Sequence, residues 1–283
     1  MPRVHPPGDP VALHFDGEEI IAHRGEPAAV ALVAAGHLGL ARSPKFHRPR
    51  GPACLRAGCD GCLARVDDVP NVMTCRVPAA EGMRIETQNV VGSSTTDLLR
   101  ATDWFFPDGM NHHELFVGIP GARKVLQALA RRVAGLGKLP KEARGPRGAR
   151  RRRADVLIVG SGPGGMAAAL EFSKLRRSVE VIEDDLRWGG GLRGLAVSAS
   201  SPWHPLWNAF GDSVAASRVA VRLRTTAAAV YGDDVLVACE SGVEVVTART
   251  LVLAPGAHDG TPVFEGNDVP GVMSARAGAW MAS

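Results

Sequence analysis

The chain has 283 residues, enough for two domains of ordinary size or one large one. Hydrophobic residues at 45% and charged residues at 22% exclude a wholly disordered chain. A net charge of +4, from 33 basic and 29 acidic residues, gives no footprint of a dedicated nucleic-acid binder. The longest apolar stretch, Ala28–Ala35, is far short of the roughly 20 residues that cross a bilayer, so no transmembrane segment is expected. The opening residues lack the apolar h-region of a secretory signal, and the expected location is the cytoplasm, with peripheral membrane association compatible.

Val11–Phe15, an Asp16-Gly17 turn and Ile20–His23 predict a β-hairpin, because Asp-Gly suits the tight turns that match twisted strands. Pro27 at a first helical position and Gly36 beyond the end bracket a short apolar helix. The basic stretch Arg42-Ser43-Pro44-Lys45-Phe46-His47-Arg48-Pro49-Arg50-Gly51 follows. It reads as a solvated loop or as a positive counterweight to negative charge nearby. Four of the five cysteines come next, Cys54, Cys59, Cys62 and Cys75, spaced C-x4-C-x2-C with the fourth downstream. Two irons bridged by two sulfides need four thiolates on one compact loop, and this is the plant-type spacing for a [2Fe–2S] cluster. Gly58 and Gly61 lie either side of Cys59. Lacking a Cβ, they leave room for sulfide, permit positive φ and let amide N–H groups turn toward sulfur. A disulfide pair is disfavoured without a secretory signal. A zinc site is disfavoured by a lone Cys75 where a second C-x2-C or a His would stand. Leu63–Val66 and Met83–Gln88 predict further strands, giving a β-grasp ferredoxin-like domain over 10–92.

The connecting segment, 93–153, carries no chemical motif. Gly92–Asp97 predicts a loop ending in a helix cap, and Asp103–Gly109 an aromatic turn. His112 and His113 are adjacent, so they do not face one ligand together and read as surface or packing residues. From Lys141 to Arg153 seven basic residues meet one acid among Gly and Pro, which predicts a solvated linker between domains.

Asp155–Val159 is a short apolar strand, followed at once by Gly160-Ser161-Gly162-Pro163-Gly164-Gly165. Met166–Arg176 reads as an Ala-rich helix, and Val179–Ile182 as a second strand closed by Glu183. In this strand–turn–helix–strand setting, G-x-G-x-x-G with an acid about 20 residues on is a dinucleotide fingerprint. Gly160 would make the tight turn, Gly162 would let backbone N–H groups approach the pyrophosphate, and Gly165 would let helix and strand pack closely. Pro163 and Gly164 open the helix whose N-terminus faces the phosphates, and Glu183 would accept from the ribose hydroxyls. The fingerprint does not separate FAD from NAD(P), since both present the same ADP half. Ala227–Tyr231, Val235–Glu240 and Val243–Thr247 predict an antiparallel meander, and Thr250–Ala257 a buried strand entering a turn. Cys239 reads as a buried core thiol. The second domain, 154–283, is therefore a Rossmann-like FAD/NAD(P)-binding fold. The chain as a whole is α/β and α+β in two domains.

Residues 11–90 resemble the small ferredoxin-like domain of the flavoprotein subunits of bacterial amine and amino-acid oxidising complexes. These include the sarcosine oxidase alpha subunit, the opine oxidases, the alpha-type proline dehydrogenase subunits and hydrogen cyanide synthase. The residues that carry the likeness are Arg42–Gly51, the four cysteines, Glu81-Gly82-Met83 and Thr87-Gln88-Asn89. Sarcosine oxidase lacks the ligand cysteines in this domain, so the cluster-bearing cyanide-synthase type is the nearer match. The resemblance runs on through an aromatic stretch and implies a helix over Ala122–Ala134. In the second domain Trp188-Gly189-Gly190-Gly191-Leu192 resembles the Gly-Gly turn of glutathione-reductase-type flavoproteins, which implies FAD and brings in Gly190. That family's Ala-Thr-Gly turn is matched by Ala254-Pro255-Gly256, with a hydroxyl lost at Pro255. Its Gly-Asn-Asp and Pro-Gly-Val segments are matched by Gly266-Asn267-Asp268 and Pro270-Gly271-Val272.

The resemblance implies an iron–sulfur and FAD oxidoreductase subunit that passes on electrons from a small-molecule amine or amino acid, of the sarcosine, opine, proline or glycine class. Flavoprotein partner subunits are implied, and no nucleic-acid partner. No substrate-oxidising residue is assigned, because no motif places a His, Lys or carboxylate. An electron-transfer module with a vestigial nucleotide fold and a zinc-stabilised interaction module are the alternatives. Relative to its flavoprotein relatives the second domain reads as incomplete, stopping within an apolar helix over Val272–Ser283 without a Gly or Asn cap, so weak flavin retention by this chain alone is expected.

Overall fold

Buried Val11, Leu13 and Phe15 alternate with more exposed neighbours along β1 (Pro10–Phe15), the period-2 pattern of a half-buried strand. The chain reverses at Asp16 and Gly17, both with positive φ, and returns as β2 (Glu18–His23) in antiparallel register, Leu13 opposite Ile20. The Asp16 carboxylate also accepts from the Thr87 amide (2.7 Å) and hydroxyl (2.8 Å), tying the turn to a distant segment. Helix α1 (Ala28–Ala34) lays Ala28, Leu32 and Val33 on the core; Pro27 stands just before its first turn, and Gly36, at φ +102°, closes it.

In this computed structural model the described residues are 8–44, 46–88, 90–91, 96–105, 148–195, 199–260 and 262–282. They form two units. One comprises the described residues from 8 to 105 together with 262–274, the other those from 148 to 260 together with 275–282. Among the described residues no helix is long and apolar enough to cross a membrane.

The first unit adds the short hairpin β3 (Ala41–Arg42) and β4 (Pro49–Arg50), then β5 (Leu63–Val66), β6 (Val69–Met73) and β7 (Arg84–Glu86). Its main sheet runs β2-β1-β7-β5-β6, with β1 and β7 parallel and the other pairs antiparallel. This is the expected β-grasp arrangement. Asp97 accepts from the Leu99 amide and caps a 3-10 turn, as expected for the end of its loop. Asp103–Phe105, expected as a turn, lie instead in the helix α2 (Ala101–Phe105). The expected helix Ala122–Ala134 and His112 and His113 lie outside the described residues.

The second unit is built on a six-stranded sheet in the order β10-β9-β8-β13-β12-β11. Strands β8 (Arg150–Val159), β9 (Val179–Ile182), β10 (Val219–Arg222) and β13 (Gly242–Leu253) pair in parallel; β11 (Thr226–Tyr231) and β12 (Asp234–Cys239) continue antiparallel. Val156, Ile158, Val179, Val181 and Val219 pack with Met166 of α3 (Pro163–Lys174) and Phe210 of α4 (His204–Ala215). Leu157 and Ile182 pack with Val235, Val237 and Val246.

Four expectations need correction. Arg150–Arg153 are not linker but the first residues of β8: Arg151 donates to Asp234, and Arg152 to Glu180 and Glu244, so carboxylates on other strands of the sheet draw the basic run into it. Val243–Thr247 and Thr250–Leu253 are one continuous strand that pairs with β12 on one side and β8 on the other. Helix α4 and strand β10 add a second parallel helical crossover, β9–α4–β10, that the sequence reading passed over. Cys239 is half-buried at the end of β12, its sulfur 3.2 Å from the Ser241 hydroxyl, because it sits at the hairpin turn and not in the core.

Candidate functional site

The three clustered cysteines lie on the loop between β4 and β5, and Cys75 on the 3-10 turn Thr74–Arg76 after β6. Thr74 binds the two segments together, its amide (3.1 Å) and hydroxyl (2.9 Å) both donating to the Cys62 carbonyl. The thiols form two pairs. Cys54 and Cys59 are 3.4 Å apart and half-buried; Cys62 and Cys75 hydrogen-bond to each other in the interior. A mononuclear zinc site would draw four ligands to one point. Among the described residues no three metal-binding side chains meet in that way. Two pairs of soft donors, one per iron, is the donor set a two-iron cluster needs.

Backbone amides do turn toward sulfur: Gly58 (3.2 Å) and Arg56 (3.3 Å) donate to Cys54. The positive φ angles fall on Leu55 and Ala57 and not on the glycines, which corrects that part of the expectation. Gly61 is required for a different reason, since a Cβ there would run into the Gly51 carbonyl. In each pair one thiol is shifted down and its partner up. Cys59 accepts from Cys54 and from backbone amides of Ala53 and Gly61, and is pulled down to about 5; Cys62 is lowered chiefly by its bond from Cys75. The donors Cys54 and Cys75 are pushed up by those same bonds and by burial.

The basic stretch beside the loop mostly faces carboxylates. Arg48 pairs with Asp103, the His47 imidazole lies 2.8 Å from Asp97 with both side chains buried, and Arg50 holds Asp60 between Cys59 and Gly61. Only the last of these abuts the cysteines.

The second candidate site stands at the carboxyl ends of β8, β9 and β13. Gly160, at φ +96°, is wedged under the Ala254 carbonyl, and a Cβ on Gly165 would strike the Gly160 carbonyl. Gly190 lies against Gly162, its missing Cβ falling 2.9 Å from the Gly162 Cα. Gly162 itself differs. A Cβ built on it meets nothing within 4 Å, so the space over the N-terminus of α3 is open, as a pyrophosphate cradle requires. Pro163 and Gly164 form the first turn of that helix, and Gly256, at φ +73°, closes the turn after β13.

Glu183 is 4% exposed and faces inward. One oxygen accepts from the Ser161 amide (2.8 Å) and hydroxyl (2.5 Å), the other from the Asp185 amide (3.1 Å). Burial pushes its carboxyl up, but the hydrogen bonds led by Ser161 outweigh that and hold it below the usual range. Ser161, overlooked in the sequence as the variable position of the fingerprint, also accepts from the Gly189 amide (3.3 Å). It joins the Gly-rich turn, the acid and the Gly-Gly turn. The structure thus gathers all eight expected dinucleotide residues at one sheet end, and brings Cys75 on its 3-10 turn up to the loop that carries the other three cysteines.

The 2Fe-2S iron-sulfur cluster binding domain family matches residues 8–90, and the pyridine nucleotide-disulphide oxidoreductase family matches residues 154–279. The chain is 30% identical to the sarcosine oxidase subunit alpha of Rhizobium meliloti over 95% of its own length, and spans 30% of that protein. It is 30% identical over 79 residues to the hydrogen cyanide synthase subunit HcnA of Pseudomonas aeruginosa, covering 28% of this chain and 75% of that one. The solved structure of L-proline dehydrogenase from P. horikoshii shares the fold, with a TM-score of 0.64 over 94% of this chain and 44% of the other at 24% identity. Two matched domains in this order, and likeness along nearly the whole chain, place it: the protein belongs to the family of the sarcosine oxidase alpha subunit and the cyanide synthase subunit HcnA.

Proposed function

We propose that the chain is an electron-handling subunit of a complex that oxidises a small amine or amino acid, of the sarcosine, opine, proline or glycine class. The observation that carries this reading is the pairing, on one chain, of four thiols drawn from a loop and a neighbouring turn with an open dinucleotide cradle. Cys54, Cys59, Cys62 and Cys75 hold a [2Fe–2S] cluster in this reading. Gly160, Gly162, Pro163, Gly164, Gly165, Gly190 and Gly256 shape the dinucleotide site, and Glu183 takes the ribose. FAD is preferred to NAD(P) because of the Gly-Gly turn at 189–190. The consecutive acids Glu183, Asp184 and Asp185 would also repel a 2′-phosphate. Bound FAD accepts two electrons as a hydride, and a bound cluster passes electrons singly. The chain's own residues supply position and charge: helix α3 directs its N-terminal dipole at the phosphates, and the amides of Arg56 and Gly58 donate to the Cys54 sulfur. Partner flavoprotein subunits would supply the substrate pocket.

The test is the visible spectrum of anaerobically purified and reconstituted protein, with metal analysis and titration by FAD and ADP. The expected result is about two irons and two sulfides per chain with saturable ADP-half binding. Stoichiometric zinc in a colourless protein would overturn the cluster. A normal cluster beside no nucleotide binding would favour the electron-transfer module, a reading to which the inward-turned Glu183 lends weight.

A further inference from the structure

By resemblance, Gly266-Asn267-Asp268 and Pro270-Gly271-Val272 belong with the flavoprotein half, yet residues 262–274 pack in the same unit as the cysteine loop. A series of turns shapes this strap: Asn267 N–H donates to the Phe264 carbonyl (3.2 Å), Val269 N–H to Gly266 (3.1 Å) and Val272 N–H to Val269 (3.1 Å). Gly271 adopts φ +102°, and a Cβ there would press on the Leu38 side chain at 3.4 Å.

Three contacts carry the strap to the cysteines. The missing Cβ of Gly61, between Cys59 and Cys62, points at the Gly51 carbonyl. The missing Cβ of Gly51 in turn points at the Leu38 carbonyl, at the Pro270 Cα (3.2 Å) and at the Gly271 nitrogen (3.4 Å). The layers are backbone on backbone, with no side chain between them to absorb a shift. Farther along, the Ser274 amide donates to the Ala53 carbonyl (2.9 Å), and Ala53 in turn donates its own amide to the Cys59 sulfur. Residue 53 is thereby held at both of its polar backbone atoms. Asp268 adds a weaker attraction to that of Asp103, the chief partner, on the Arg48 guanidinium beside this loop.

We propose that residues 266–274, far from the cysteines in sequence, form part of the cluster site as a positioning segment: they hold the peptide 51–54 so that the Ala53 amide meets the Cys59 sulfur. The inference rests on the cluster reading above. Hydrogen bonds to sulfur set how firmly a cluster is held and how its electrons are distributed, so disturbing the strap alters the cluster without touching a ligand.

The test uses the full-length, reconstituted chain and two variants. Ser274→Pro removes the donor to Ala53, and Gly271→Val forces a β-branched side chain onto a positive φ against Leu38. Measured are the rate of iron transfer to a chelator, the visible circular dichroism and electron paramagnetic resonance of the cluster, far-UV circular dichroism, and ADP binding as a control on the other unit. The expected result is iron loss about fivefold faster in Ser274→Pro, the size of one lost backbone hydrogen bond, with a changed cluster spectrum and unchanged ADP affinity. Ser274→Pro decides the matter if Gly271→Val lowers the far-UV signal. Iron release and cluster spectra equal to wild type in a folded Ser274→Pro overturn the positioning role while leaving the cluster reading intact. A wild type that takes up no iron overturns that reading, and the positioning role with it.

Discussion

Two glycines three residues apart in one motif do opposite work. Gly165 is glycine for the fold, because a Cβ would collide with the Gly160 carbonyl; a Cβ on Gly162 would meet nothing within 4 Å, and in the proposed dinucleotide site that space belongs to the pyrophosphate. Gly165→Ala should therefore cost on the order of 1–3 kcal/mol of stability as an overpacking change. Gly162→Thr adds a capping hydroxyl at an ordinary φ of −71° and should leave thermal unfolding nearly unchanged. It should weaken ADP binding by on the order of tenfold or more, since its side chain fills the pyrophosphate's space. Calorimetry and an ADP titration on both variants read the two effects separately, and equal ADP affinity in Gly162→Thr and wild type would show the cradle to be misplaced. The cysteines divide in the same way. Cys59→Ser should abolish or severely destabilise the cluster, while Cys239→Ser, at a hairpin turn in the other unit, should keep full iron and sulfide content.

At the scale of elements, the sheet of the second unit is stitched by charge where the chain looks merely basic. Arg152 on β8 donates to Glu180 on β9 (2.6 Å) and to Glu244 on β13 (2.8 Å), and Arg222 on β10 reaches the same two acids. The Arg222 bond, followed by that from Arg152, holds Glu244 down at about 2 from an ordinary 4.5. The native state then binds the proton less readily than the unfolded chain does. The stabilisation is fully present above about 4.5 and is lost as pH falls toward about 2. Glu244→Gln should lower the unfolding temperature at neutral pH and flatten its decline over that acid range; wild-type and variant profiles that stay parallel through it would show that the ladder contributes nothing. The same ladder explains a misreading. Composition makes Lys141–Arg153 a linker, but strand membership of Arg150–Arg153 is decided by acids about 30 and 90 residues away, which no local pattern reveals.

For the whole molecule, local chemistry was readable and remote contact was not. The Asp16-Gly17 turn, the β8–α3–β9 fingerprint and the cysteine spacing are short-range signals, and each appears in the structure within a few residues of its expected place. Helix α4 was missed because its start, Trp203-His204-Pro205, carries no Ser, Thr, Asp or Asn cap, and β10 is only four residues long. The inward turn of Glu183 depends on a serine at a position the fingerprint leaves free. The strap depends on a glycine–proline contact between residues 51 and 270.

That contact also has a meaning in time. A ribosome releases the chain from its N-terminus, and domains generally fold in the order in which they emerge. The sheet β2-β1-β7-β5-β6 and all four cysteines are outside long before Pro270, Gly271 and Ser274 have been made. For most of synthesis the peptide 51–54 has neither the donor from Ser274 nor the backbone of Pro270 against Gly51. The nascent thiol loop thus has fewer backbone contacts than the finished one. Residues 266–274 pack on that peptide only once they too have been made, so that, in the cluster reading proposed above, translation order itself separates a stage for loading from a stage for retention.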